Sequence, residues 1–366
     1  MIPKEYKMKS YNITVAVTGM NATDNPGPGV PVIRAIRNSS EFAGQIIGLT
    51  YDPLDPGNYM EGICDHVYLF PFPSEGAKSI LSRIREIHSR TPIDVIVPSL
   101  DSELNAFIKI EPELKAIGIQ MFLPGEAGLK LRSKAHFTKL AESHDISVPK
   151  GKTITDTASI YRLEKEFKFP VMVKGQFYEA YLANSPMEAE TLFRRISSKW
   201  GLPVIIQEYI VGEEYDVVAL GDGDGGLVGA VPMRKMQLTD KGKAWGGITI
   251  NNPDMNEFVK DVMAKLKWRG PCELEIMKST LDNKYYLIEI NPRFPAWCYL
   301  SVGAGQNLPW ASVKLALGED VPKFTEYKVG TMFLRHSQDM VYQLDKYQAM
   351  TTVGEIHNIQ TSKSEE

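Results

Sequence analysis

Two short runs hold the residue types that could do chemistry together. One reads Pro271-Cys-Glu273-Leu-Glu275-Ile-Met-Lys, the other Tyr285-Tyr-Leu-Ile-Glu289-Ile-Asn291-Pro-Arg293. Both have the apolar character of strands, and Asp282-Asn283 supplies a turn between them. Side chains in a strand alternate between faces, so Glu273 and Glu275 share one face and Glu289 and Asn291 share one face of the next strand. Pairing the two strands gathers carboxylates and an amide oxygen. Such an all-oxygen nest suits a hard divalent cation, above all Mg²⁺. Arg293 lies one step further along that face, where a guanidinium and a cation would hold a phosphate between them.

Stepping outward, the chain alternates strands and helices. Asn12 to Gly19, Gln45 to Thr50, His66 to Phe70 and Ile93 to Val97 read as strands; Val32 to Asn38 and Ala77 to Arg90 read as helices. This pattern predicts an open α/β sheet, whose ligands bind beyond the carboxyl ends of its strands. The loops after Val17 and Val97 are therefore of interest. Asp101, in the second, fits an N-cap somewhat better than a substrate contact. Ala135 to His144, Ala158 to Phe167 and Ala189 to Ser198 have helical spacing, with strands at Val171 to Lys174 and Val204 to Glu208. Antiparallel signals begin at Tyr215. Further helices are expected at Met255 to Leu266 and Leu308 to Leu317, with a late strand within Lys328 to Arg335.

The hairpin resembles the metal-binding end of ATP-grasp enzymes, especially single-ATP-grasp proteins similar to half of a carbamoyl phosphate synthetase large chain. In that pattern a Gln or Glu precedes E-x-N-P-R by fourteen residues, as Glu275 precedes Glu289, Asn291 and Arg293. The resemblance runs from about Asn12 to Gly318. It implies a mixed α/β and α+β, three-lobed ATP-grasp fold with an N-terminal open α/β (preATP-grasp) domain. The lobes would be 11–125, then a helical linker and small lobe over 126–208, a large metal-carrying lobe over 209–320, and an extension with a polar tail over 321–366.

The same resemblance assigns roles. Glu275, Glu289 and Asn291 would hold Mg²⁺ or Mn²⁺. Lys174, ending the run Pro170-Val-Met-Val-Lys174, and Lys134 would touch the phosphates of ATP. Val204-Ile-Ile-Gln-Glu208-Tyr209-Ile210-Val-Gly212-Glu-Glu214-Tyr resembles the hinge between lobes. There the backbone of Tyr209 and Ile210 would read adenine, Glu208 would assist, and Glu214 would accept from the ribose. Read from the residues themselves, Gln237 to Gly247 is either a loop over the site, with Lys235, Lys241 or Lys243 reaching the γ-phosphate or an acidic substrate, or a solvated hairpin loop. Arg293 and Lys174 would stabilise charge on the transferring phosphoryl group. Where the family has a glycine-rich phosphate loop this chain departs from it: Gly175-Gln-Phe-Tyr-Glu-Ala180 is short and has one glycine.

The implied activity joins a small-molecule carboxylate, or a peptide, to an amine through an acylphosphate, releasing ADP and phosphate. Three alternatives stand beside it: a peptide-modifying ligase or macrocyclase, a small-molecule kinase, and a non-catalytic ATP-binding protein. The family also suggests a homodimer.

Other chemistries find little support. There is neither GxxxxGK[ST] nor GxGxxG after the first strand, nor a GxSxG elbow. Asp222 to Gly226 lacks the distant glutamate of an EF-hand and reads as a turn. The six histidines have no zinc spacing. Among 366 residues, 43% hydrophobic and 23% charged, the net charge of −4 gives no electrostatic footprint for nucleic acid. Cys64, Cys272 and Cys298 form no disulfide framework, and no apolar run reaches membrane-spanning length. A cytoplasmic location with no membrane partner is the expectation.

Overall fold

A computed structural model describes residues 9–132, 134–176, 179–238 and 244–358, without the side chains of 131, 132, 134–136 and 140. The first unit is a sheet of strands β1 (Thr14–Thr18), β2 (Gln45–Thr50), β3 (His66–Leu69) and β4 (Val95–Val97), with helices α1 (Gly29–Arg37), α2 (Ala77–Arg90) and α3 (Leu104–Ala116). The four strands are parallel and buried. Such strands need helices on both faces, and α2 turns Ile80, Ile84 and Ile87 inward at helical spacing. Helix α1 starts three residues before the predicted Val32, because Pro31 falls in the first helical turn, where a missing N–H costs nothing.

Helices α4 (Glu126–Arg132) and α5 (Lys134–Ser143) lead to a four-stranded antiparallel sheet. Its strands are β5 (Gly151–Ile154), β6 (Val171–Lys174), β7 (Ala180–Ala183) and β8 (Val204–Glu208), ordered β5-β8-β6-β7 and covered by α6 (Pro186–Trp200). The helix expected over Ala158 to Phe167 is a 3₁₀ segment, Ile160–Lys165. Asp156 accepts from the backbone N–H and hydroxyl of Ser159, and this local turn competes with an α-helical start. The lobe has its own hydrophobic core, including Ile154, Leu163, Val173, Phe193 and Ile206.

Three residues, Tyr209 to Val211, connect β8 to a six-stranded antiparallel sheet. It contains β9 (Gly212–Asp222), β10 (Leu227–Leu238), β11 (Ala244–Thr249), β12 (Arg269–Ser279), β13 (Tyr285–Asn291) and β14 (Met332–Leu334), in the order β13-β12-β9-β10-β11-β14. Asp222 closes the β9–β10 turn by accepting from the N–H groups of Asp224 and Gly226. Asn283, at φ 57°, occupies the left-handed position of the β12–β13 turn, a conformation that asparagine tolerates. Helix α7 (Pro253–Leu266) packs on one side; α8 (Tyr299–Gly303) and α9 (Leu308–Ala316) follow the hairpin. One core cluster joins this sheet to the N-terminal one, with Val15 and Ile33 in the same group as Val218, Phe294 and Trp310.

The chain then turns back. Tyr342 stacks on Tyr59 with ring centroids 4.2 Å apart. Helix α10 (Leu344–Thr352) leads into β15 (Glu355–His357), which pairs antiparallel with β3 and closes that edge of the first sheet. No described helix is long and apolar enough to cross a membrane.

Candidate active site

Register decides the site. Glu273 lies opposite Asn291, and Glu275 opposite Glu289, across β12 and β13. On the other side of β12, β9 places Val218 beside Glu273 and Asp216 beside Glu275. Directly opposed residues share a sheet face, so Asp216, Glu275 and Glu289 form a row. The hairpin inferred from alternation is thus present, with an additional carboxylate from β9.

The Asn291 amide nitrogen lies 3.4 Å from both Glu273 and Glu275, which leaves its oxygen as the atom suited to a cation. Burial, and then the like charge of Glu289, push the Glu275 carboxyl up to about 7. A divalent cation would relieve both causes. Among the described residues, no three His, Cys, Asp or Glu side chains form a closed metal group. Two carboxylates and an amide oxygen still fit Mg²⁺, which keeps water and phosphate oxygens in its shell rather than filling an all-protein cage.

Lys235, on β10, points into this row. Its ammonium lies 2.5 Å from Glu214 and 3.2 Å from Asp216. Burial disfavours its charge, but Asp216, Glu275 and Glu214 outweigh that and hold the lysine above its usual range. Arg293 donates to Glu273 at 2.6 Å and to Asp101 at 3.2 Å. Burial opposes its charge too, and Asp101 and Glu273 more than compensate. The Trp297 indole donates to the other Glu273 oxygen at 2.7 Å.

Asp101 is therefore not the cap of α3: the N-cap position is Glu103, and Asp101 instead meets the hairpin arginine. Glu103 is fully buried and accepts from Thr18, Tyr51 and the N–H groups of Ser99 and Leu100. Thr18 ends β1, Tyr51 follows β2, and Ser99, Leu100 and Glu103 follow β4, so the group sits at the carboxyl ends of the strands, where the order of the parallel sheet reverses between β1 and β4.

Arg335 was not singled out in the sequence. It follows β14, and its N–H donates to the Trp245 carbonyl, continuing the strand pairing. Alternation puts it on the side of Phe333, and its guanidinium lies 5.9 Å from that ring. Burial lowers its pKa, while Glu273 and Cys298 raise it. It makes no ion pair within the described residues. The alternation was readable in the sequence; which sheet the strand joins was not.

The structure places the other expected residues on the neighbouring lobe and its connections. Lys174 ends β6 on the neighbouring sheet and is buried. Lys134 opens α5, and its side chain lies outside the described ones. Glu208 is exposed and accepts from the Lys150 N–H at 3.2 Å. Tyr209 and Ile210 form the connection between the two sheets. Of the expected loop Gln237 to Gly247, the described residues are strand, with β10 reaching Leu238 and β11 beginning at Ala244, and 239–243, Lys241 and Lys243 among them, lie outside the described residues.

An open α/β unit, a small antiparallel lobe with its own core, and a larger sheet bearing an acidic hairpin make up an ATP-grasp fold. The chain carries an ATP-grasp domain and is homologous to the carbamoyl phosphate synthase large chain. The family model matching residues 202–363 is described as "ATP-grasp in the biosynthetic pathway with Ter operon". A phosphoribosylamine–glycine ligase from Synechocystis sp. is 26% identical over 175 residues, covering 46% of this chain and 41% of that protein. A carbamoyl phosphate synthase large chain from Sulfolobus acidocaldarius is 23% identical over 288 residues, covering 69% of this chain and 27% of that one. The chain thus spans less than half the length of these relatives. Among solved structures, the biotin carboxylase domain of Hydrogenobacter thermophilus 2-oxoglutarate carboxylase, in complex with MgADP, ADP and bicarbonate, matches with a TM-score of 0.67. That match is 15% identical and covers 86% of this chain and 72% of that one. The mixed α/β and α+β ATP-grasp fold expected from the sequence is the fold observed.

Proposed function

We propose that this chain is an ADP-forming ATP-dependent ligase that joins a carboxylate to an amine. The observation that carries the reading is the opposition of Glu275 to Glu289 and of Glu273 to Asn291, with Lys235 and Arg293 at either end. The name of the Synechocystis relative and the MgADP in the Hydrogenobacter structure support it.

Glu275, Glu289 and Asn291 would hold Mg²⁺. When bound, the ion would neutralise charge on the phosphates of ATP. Lys134, Lys174 and Lys235 would meet those phosphates. The Tyr209 and Ile210 backbone would face adenine, with Glu208 and Glu214 nearby. A carboxylate resists amine attack because its leaving group would be oxide. One of its oxygens would attack the γ-phosphorus, and the bond to ADP would break. The amine would then add to the acyl carbon, phosphate would leave, and the nitrogen would lose a proton. The protein's part is to orient the groups and hold charge in place. Arg335, half-buried and without an ion pair among the described residues, is suited to anchor an acid.

The test is incubation with ATP, Mg²⁺ and a panel of amino acids, dipeptides and other acids, with hydroxylamine as trap. ADP with hydroxamate is the expected outcome and identifies the carboxylate. ADP with a phosphorylated substrate and no hydroxamate would replace the ligase reading with a kinase.

A further inference from the structure

The two carboxylates that hold Lys235 differ in their surroundings. The Glu214 side chain is 45% exposed, the Asp216 side chain 4%. Water, and in the proposed complex a ribose hydroxyl, therefore compete with the ammonium for Glu214. Asp216 has no such competitor. Its second oxygen is buried with no hydrogen-bond partner within the described residues. Glu275, the residue directly opposite on β12, adds further negative charge. Among the described residues, the cation paired with Asp216 is Lys235. Withdrawing a lysine from a buried carboxylate leaves an uncompensated charge, which is far costlier than losing an exposed ion pair.

We infer that Asp216 is the positioning residue for Lys235, pinning the ammonium beside the acidic hairpin as a fixed contact for the terminal phosphate of the nucleotide. The inference rests on the nucleotide-binding reading above. On this view Glu214 is an exchangeable partner and Asp216 a permanent one. Asp216 itself touches neither nucleotide nor metal.

The experiment is calorimetric titration of the full chain, in Mg²⁺, with ADP and with a non-hydrolysable ATP analogue. Four proteins are compared: the parent chain, Asp216→Asn, Lys235→Met and the double variant. The parent should prefer the analogue. Asp216→Asn should bind ADP within about threefold of the parent and lose about tenfold of its preference for the analogue. The double variant should match Lys235→Met, because Asp216 acts only through the lysine. Retained preference in Asp216→Asn, or equal loss for both nucleotides, would overturn the inference. Absence of nucleotide binding by the parent would instead overturn the functional reading on which it rests. Should Asp216→Asn not fold, thermal melting of the other two decides. The double variant should melt above Lys235→Met, and a lower melting point would refute the pairing.

Discussion

At the scale of single residues, the site is a balance of buried charge. Glu273 is the clearest case, because three donors converge on it: Arg293, Trp297 and Asn291. Glu273→Ala takes from the Arg293 guanidinium one of its two carboxylate partners and leaves the Trp297 indole N–H without its acceptor, and should cost about 3 kcal/mol, measurable by urea denaturation. Glu289→Gln should leave stability nearly unchanged while lowering ATP turnover about a hundredfold or more, if the residue holds the metal. Turnover within a few-fold of the parent would remove it from the site. Arg335→Ala should raise KM for the acid substrate with little change in KM for MgATP. A change in the nucleotide KM alone would place Arg335 elsewhere. The acidic pair was legible because two-residue alternation fixes a strand face without knowledge of the fold. Asp216 was less legible, since its neighbours come from strands distant in sequence.

At the scale of elements, the hairpin was readable and the membership of β14 was not. Local turn chemistry and alternation define β12 and β13, but a three-residue strand gives no sign of its partner. The helix expected over Ala158 to Phe167 gave way to Asp156, whose side chain favours a turn. The β3–β15 pair shows what sequence spacing could not suggest for isolated histidines. His66 and His357 lie directly opposite, with their Nδ1 atoms 2.7 Å apart, so one must donate and the other accept. Burial, and then His357, lower the His66 pKa below 6.5; Asp65 and Glu355 oppose this, and Glu355 is paired with Arg90. A group whose folded pKa lies below its unfolded one stabilises fully above the unfolded value, and that stability is lost as pH falls through the folded value. The melting temperature should therefore fall as pH drops below about 6.5, and His66→Gln should flatten that part of the profile.

At the scale of the whole molecule, three units share two kinds of junction. The N-terminal and six-stranded sheets share a continuous core, whereas the four-stranded lobe has its own and is tied by the short Tyr209 to Val211 connection. The small lobe should thus move against the pair of sheets that share a core. Hydrogen exchange should show nucleotide-dependent protection in the Tyr209 to Val211 connection, with little change in β1 and β2. The three-unit organisation was anticipated by the resemblance, whose motifs mark the lobes. The return of the chain to the first sheet was not, because it depends on pairing across almost the whole sequence.

That return bears on how the protein is made. The edge of β3 meets its partner only when β15 has been synthesised, and His66 and His357 are 291 positions apart. At ordinary synthesis rates this separation corresponds to roughly 15 to 60 s. During that interval the nascent first sheet presents an unpaired strand edge, a template for pairing with other chains. The burden of keeping newborn molecules apart therefore falls on the cell's chaperones until the final strand arrives.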